Sequence, residues 1–198
     1  KPIRLIFPAA AGSGNDILSR ALAQRLSTAL GQQVIVDNRP GANGNIGSTM
    51  AAKSAADGYT LLVGYTSTLA DGPNVYADLG YDPAKDLAPV VRFALVPFVL
   101  VVNPSVPATN IKELIALAKA RPGQLNYASA GTGGLPHLAG ELLKMMAGID
   151  MVHVPYKASA HAVNDLVGGQ VQLYTTSITS VVPFITTGKL RAIAVTAL

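Results

Sequence analysis

Short apolar runs alternate with amphipathic stretches along this chain, and that alternation limits the folds open to it more than any other feature. Lys1–Pro8 (KPIRLIFP) reads as a strand and Ala9–Asn15 as a glycine-bearing turn. Asp16–Leu30 then reads as a helix with Leu18, Leu22, Leu26 and Ala29 on one face, and Gly31 as its stop. Gln33–Asp37 (QVIVD) and Tyr59–Tyr65 (YTLLVGY) are further strands, with a shorter helix around Ile46–Ala55 between them. A βαβαβ series of this kind implies a parallel sheet, because each strand must be re-entered through a crossover.

The pattern loosens through Pro73, Pro83 and Pro89, and Val90–Phe93 and Phe98–Asn103 read as two extended segments. A second α/β series follows. Ile111, Leu114, Ile115 and Ala118 mark an amphipathic helix, and Leu125–Ser129 a strand. Next come a glycine-rich turn and a helix bearing Leu138, Leu142 and Met145. Met151–Pro155, Val171–Thr175 and Leu190–Thr196 supply strands, with a helix over Ser159–Val167 between the first two.

Composition removes several classes of function. Of 198 residues, 49% are hydrophobic and 13% charged, which excludes a disordered chain. The net charge is +4, but the basic residues are scattered, and the densest pair, Lys119 and Arg121, sits at a predicted helix end where cations suit the dipole. A nucleic-acid-binding stripe needs clustered cations with interleaved aromatics, so no nucleic-acid partner is expected. With no cysteine, disulfides, thiol nucleophiles and thiolate metal sites are ruled out together. His137, His153 and His161 lack metal-ligand spacing, and neither a metal nor a cofactor is expected. No apolar run approaches the roughly 20 residues of a membrane span. The first residue is Lys1 rather than Met, which fits a removed signal peptide.

The chain also echoes itself. Ala10-Ala11-Gly12-Ser13-Gly14-Asn15 and Ser129-Ala130-Gly131-Thr132-Gly133-Gly134 each lie between a strand and a helix. A helix start leaves amides unpaired and carries about half a positive charge, glycine lets a ligand reach the backbone, and Ser or Thr adds a hydroxyl. Two such turns facing one another would clamp a small anion; the alternative is that they are ordinary connections of an α/β fold. Asp16, just inside the first helix, suits ordinary helix-start chemistry and also a place beside the ligand. Nucleotide motifs fail, since Ile17 stands where the last glycine of GxGxxG belongs and no GxxxxGK[ST] occurs. The enzymatic alternative is a serine hydrolase using Ser129, but Tyr127 replaces the first glycine of G-x-S-x-G.

Several stretches resemble one family in order along the whole chain. They are Pro8–Asp16 (PAAAGSGND), Asn38–Gly47 (NRPGANGNIG), Asp57–Leu62 (DGYTLL), Gly131–Leu138, Val154–Lys157 and Gly188–Val195. Together they resemble the Bug/TctC family, the extracytoplasmic solute receptors of tripartite tricarboxylate transporters. The resemblance implies an α/β type II periplasmic-binding-protein fold, a Venus flytrap with lobes over 1–101 and 102–198 and a hinge near Leu100–Pro104. Since the family continues past the strand ending near Thr196, it also implies that the segment returning to the first lobe is missing.

The implied partners are a small carboxylate, a di- or tricarboxylate or an aromatic acid, and membrane-embedded transporter subunits. The implied state is a periplasmic monomer without enzymatic activity. Such receptors hold ligands with amides, hydroxyls and water. Carried over by position, the contacts are Gly12, Ser13, Gly14, Asn15 and Asp16; Thr66, Ser67, Thr68 and Leu69; Gly131, Thr132, Gly133, Gly134 and His137; Tyr156, Lys157, Ala158 and Ser159; and Thr175, Thr176 and Ser177. Ser13, Asn43 and Ala158 stand where the family usually has glycine. Members that bind amino acids place an acidic residue where this chain has Tyr174–Ser177, so a plain carboxylate is expected. An effector-sensing regulator of the same fold would be marked by an attached DNA-binding or membrane segment.

Overall fold

Ile3–Phe7 (β1) takes the centre of a three-stranded parallel sheet in the computed structural model, which describes residues 1–196. Its neighbours are Val34–Asn38 (β2) and Thr60–Leu62 (β3), in the order β2-β1-β3. This sheet belongs to the first of two compact units, Lys1–Arg92 and Phe93–Leu198. Leu5, Phe7, Ala23, Val34 and Val63 form its core.

Helix α1, Gly14–Leu30, runs from the Ser13 cap to Gly31, whose left-handed φ of 60° ends it. Its buried line is Ser19 and Ala23; Leu18, Leu22 and Leu26 are half-buried, and Ala29 is exposed. Small residues there let the helix lie close to the sheet. The Ser27 hydroxyl donates to Ala23 O (2.8 Å) and accepts the Val34 amide (2.9 Å), tying α1 to the next strand.

Helix α2, Asn45–Ala52, is entered through Gly41–Gly44, where φ is positive at all four residues. The glycines of Asn38–Gly47 have separate roles. Gly44, at φ 96°, turns the chain beside Pro8, Tyr65 and Thr68, and Gly47 brings α2 onto Pro8. A Cβ at Gly47 would stand 2.7 Å from Arg39 O and 2.8 Å from Pro8 Cβ. After β3 come a π-helical turn, Ser67–Asp71, and the short helix α3, Gly72–Val75. Val90–Phe93 joins no sheet among the described residues.

The second unit holds a five-stranded mixed sheet in the order β6-β5-β7-β4-β8. Its strands are Phe98–Val102 (β4), Asn126–Ser129 (β5), Val152–Pro155 (β6), Leu173–Ser177 (β7) and Arg191–Val195 (β8). β5 is parallel to β6 and β7, whereas β4 is antiparallel to β7 and β8. Side chains of β4 alternate between two cores, Leu100 and Val102 in one, Val99 and Val101 in the other. A strand buried on both faces reads as an unbroken apolar run, which is what FVLVV is. Because β4 sits inside this sheet, the units divide at Arg92/Phe93, and Leu100–Val102 is ladder rather than a crossing between units.

The helices of this unit are Ile111–Ala120 (α4), Leu135–Ala147 (α5), Ser159–Val167 (α6) and Ile178–Thr186 (α7). α4 opens on a cap in which Asn110 Oδ1 accepts the Glu113 amide (3.0 Å), while Glu113 Oε2 reaches past the cap to accept the Thr109 amide (2.7 Å). α7 escapes a pattern reading because Pro183, inside it, reads as a breaker. No helix among the described residues is long and apolar enough to cross a membrane.

Gly47→Ala is expected to lower stability by about 1–3 kcal/mol, because backbone on one side and a proline ring on the other leave a methyl group nowhere to go. Urea unfolding of the variant measures this. A midpoint matching the parent would mean that α2 shifts off Pro8 without cost.

Candidate ligand-binding turns

Parallel strands joined by short connections leave every following helix start at one edge of the sheet. In the first unit this is the edge where β1, β2 and β3 end; it collects the starts of α1 and α2 and the turn after Tyr65. Asp16 organises the first turn. Its carboxylate is 3% exposed. One oxygen accepts the Gly12 amide (3.0 Å) and Arg20 Nε (3.0 Å), and the other accepts Asn38 Nδ2 (2.8 Å). Burial opposes the charge, but the bonds from Asn38, Gly12 and Arg20 outweigh it and hold the carboxyl below its ordinary value. Asp16 therefore locks the turn, and the Gly12 amide is already committed to it. The Ser13 hydroxyl, expected as a ligand donor, accepts the Asp16 amide (3.2 Å) as the helix cap.

The loop after Tyr65 is similarly self-contained. Thr68 Oγ1 accepts the Tyr65 amide (3.2 Å) and donates to Tyr65 O (3.0 Å), while Tyr81 donates to Thr68 O (2.5 Å). Ser67 is buried, and Thr66 and Leu69 are exposed. Tyr65 Oη reaches Pro8 O (3.1 Å) and Asn43 O (3.4 Å), joining this loop to the first turn and the entry of α2. Burial, with smaller contributions from Tyr81 and Tyr76, pushes the Tyr65 phenol well above its ordinary value and keeps it a neutral donor. Among the described residues, the buried side-chain atoms without a hydrogen-bond partner are Asn15 Oδ1, Asn43 Nδ2, Asn45 Oδ1, Ser48 Oγ and Asp71 Oδ2. Sequence reasoning named Asn15 and missed Asn43 and Asn45 as polar groups at this edge, although the NRPGANGNIG motif had marked them.

In the second unit β6, β5 and β7 lie side by side and parallel, so Pro155, Ser129 and Ser177 end at one edge. The caps of α5, α6 and α7, which are Gly134, Ala158 and Ser177, follow there. This brings together Gly131–Gly134, His137, Tyr156–Ser159 and the end of the strand bearing Thr175 and Thr176. Tyr156 N donates to Ser129 O (2.9 Å), and its hydroxyl donates to Asp165 (2.8 Å). Burial and Asp165 raise that phenol to about 12. Tyr174 donates to Ser159 Oγ (3.0 Å), which lies 3.5 Å from Thr176 Oγ1. Ala158 is extended, with φ −151°, so alanine is unstrained where glycine is usual. Lys157 is exposed. Ser177, in the expected set, is the cap of α7, and its Oγ lies 2.8 Å from Ser180 Oγ.

The second turn rests on two histidines. Ser129 has no exposed surface; its oxygen accepts the Gly131 amide (3.2 Å), lies 3.1 Å from Gly131 O and 2.6 Å from His153 Nε2. All of these are satisfied together when Ser129 donates to Gly131 O and His153 donates from Nε2. Gly133 N donates to His137 Nδ1 (3.1 Å), and the His137 and His153 ring centroids lie 4.2 Å apart. In both turns the third residue of the helix reaches back to the amide just before the cap: Asp16 to Gly12, and His137 to Gly133. The echo is thus real, but Gly12 corresponds by role to Gly133 rather than to Gly131.

With this geometry in place, the comparisons are informative. Residues 18–198 match the family described as Tripartite tricarboxylate transporter family receptor, TctC. BugT of Bordetella pertussis is 42% identical over 98% of this chain, which spans 60% of BugT. An R. palustris protein with adipate superposes with a TM-score of 0.95 at 40% identity, covering 99% of this chain and 66% of its own. MatC from Rhodopseudomonas palustris, with bound malate, gives 0.91 at 29% identity, covering 99% and 67%. The fold is that of the periplasmic binding proteins. The chain belongs to the TctC family of receptors, which are extracytoplasmic binding proteins.

Asp16→Asn is expected to cost about 1–3 kcal/mol of stability, since it weakens the bonds to Gly12 and Arg20 inside a buried site. The parent's advantage is complete above the ordinary aspartate range and disappears as the pH falls through the lowered value in the folded state. Urea unfolding of both proteins across acid pH measures this; a gap that persists in strong acid would show that the carboxylate charge is not its source.

Proposed function

We propose that this chain is the larger part of a periplasmic receptor that captures a small carboxylate and delivers it to membrane-embedded subunits of a tripartite tricarboxylate-type transporter. The observation that carries the reading is the gathering of helix starts, glycine turns and hydroxyls at the carboxyl edge of each sheet. Such edges are where α/β folds bind ligands, and helix starts favour anions. Relatives solved with adipate and with malate support a dicarboxylate. In the second unit, Gly131 takes φ 130° with no atom within 4 Å of where a Cβ would stand, and its amide and carbonyl are both bonded to Ser129.

The 2.6 Å contact between Ser129 and His153 is the one observation that favours a serine hydrolase. Against it, Ser129 is wholly buried and its oxygen is already engaged with the Gly131 amide and Gly131 O within the turn. Ester turnover that disappears in Ser129→Ala would establish the enzymatic reading instead.

Thermal unfolding with a panel of carboxylates, amino acids and neutral controls tests the receptor reading. A ligand at a hundred times its Kd adds about 2.7 kcal/mol, a shift of several degrees for a protein of this size. Stabilisation confined to dicarboxylates is the expected result. Stabilisation by amino acids alone, or by no anion while unfolding stays cooperative, would count against a carboxylate site.

A further inference from the structure

The two turns are locked by chemically different groups. Asp16 is a permanent anion at neutral pH, braced by Arg20 and Asn38. His137 is an imidazole that accepts the Gly133 amide at Nδ1, so its neutral form carries the proton on Nε2. We propose that His137 is a proton-controlled latch on the second turn: neutral, it holds the Gly133 amide and fixes the turn; protonated at Nδ1, it presents a donor to a donor and releases it.

The surroundings determine which ring senses acid. In the tautomer that satisfies every bond of Ser129, His153 donates through Nε2, and a proton added at its Nδ1 leaves the Ser129–Gly131 bonds in place. Burial and the neighbouring His137 also hold His153 below its ordinary value. The other groups around the pair are Tyr127 of β5, stacked on His153 at 5.0 Å, and Glu141 and Lys144 of α5. Glu141 favours an imidazolium at His153 and Lys144 opposes it. Tyr127 donates to Glu141 (2.5 Å) and Lys144 lies 3.0 Å from the same oxygen, so this carboxylate is held in place one helical turn beyond His137.

This inference concerns the turn itself and stands whether or not the turn takes a carboxylate. The test follows the Gly131 and Gly133 amides and both imidazoles by nitrogen-edited NMR in the ligand-free protein from about pH 8 to about pH 5. The Gly133 resonance should move with the midpoint of the His137 ring, and its hydrogen-exchange protection should fall about tenfold or more as the latch opens. His137→Gln offers a carbonyl acceptor that does not titrate in this range, and the Gly133 response should vanish in it while Gly131 and the core amides keep their protection. A Gly133 amide that stays unchanged while the His137 ring titrates would overturn the latch, as would a response retained in His137→Gln. If that variant fails to fold, the titration of the parent protein decides by itself.

Discussion

Helix-start amides need acceptors, and parallel sheets with short connections concentrate those amides along one edge. Much of what distinguishes this chain follows from how that requirement is met. In the first unit a buried carboxylate does it, at the cost of desolvating a charge, and the cost is offset by binding Asp16 to three partners on three elements. In the second unit a neutral imidazole and a buried hydroxyl do it, with no charge to desolvate. The other residues gathered at each edge are mainly small and polar, with Lys157 exposed at the second.

The NRPGANGNIG segment is the scaffold beneath the first of these edges. Four successive residues with positive φ are costly for Ala42, at 45°, and less so for Asn43, at 53°, whose short polar side chain tolerates the region. Such a run persists only where its surroundings over-determine it. Gly47 seated on Pro8, and Tyr65 reaching both Pro8 O and Asn43 O, provide that constraint. The motif thus acts mechanically, by fixing the strand end from which the first turn leaves.

The sequence made the strands and most helices legible, because the period of apolar residues is a direct image of burial. The helix over Ser159–Val167 agrees to the residue, and the expected strand Leu125–Ser129 differs from β5 at one end only. What the pattern could not show was pairing. Nothing in FVLVV says that β4 runs antiparallel inside the second sheet. Pro183 hid α7, because a proline counts as a breaker until the neighbours that tolerate it are known. At the turns, residue types were legible and hydrogen bonds were not. Ser13, Asp16 and Thr68 have the chemistry of ligand donors and acceptors, yet each is engaged by its own loop.

On the carboxylate reading, this sharing of polar groups has an energetic consequence. A hydrogen bond to a charged group contributes about 1.5–3 kcal/mol and a helix start about 0.3–1 kcal/mol more. Three or four such contacts reach the roughly 8 kcal/mol of micromolar binding without a buried arginine. The amides at Gly12, Gly131 and Gly133 are committed to Asp16, Ser129 and His137, so the donors left are, in the second unit, the helix starts at Ala158 and Ser177 and, in the first, the Asn43 side-chain amide. Those groups are neutral, and neutral donors bind a carboxylate without a counter-charge that would have to be desolvated again at release. Reversible capture needs that balance, and it explains why the charged residue nearest the first turn is an aspartate already tied to an arginine.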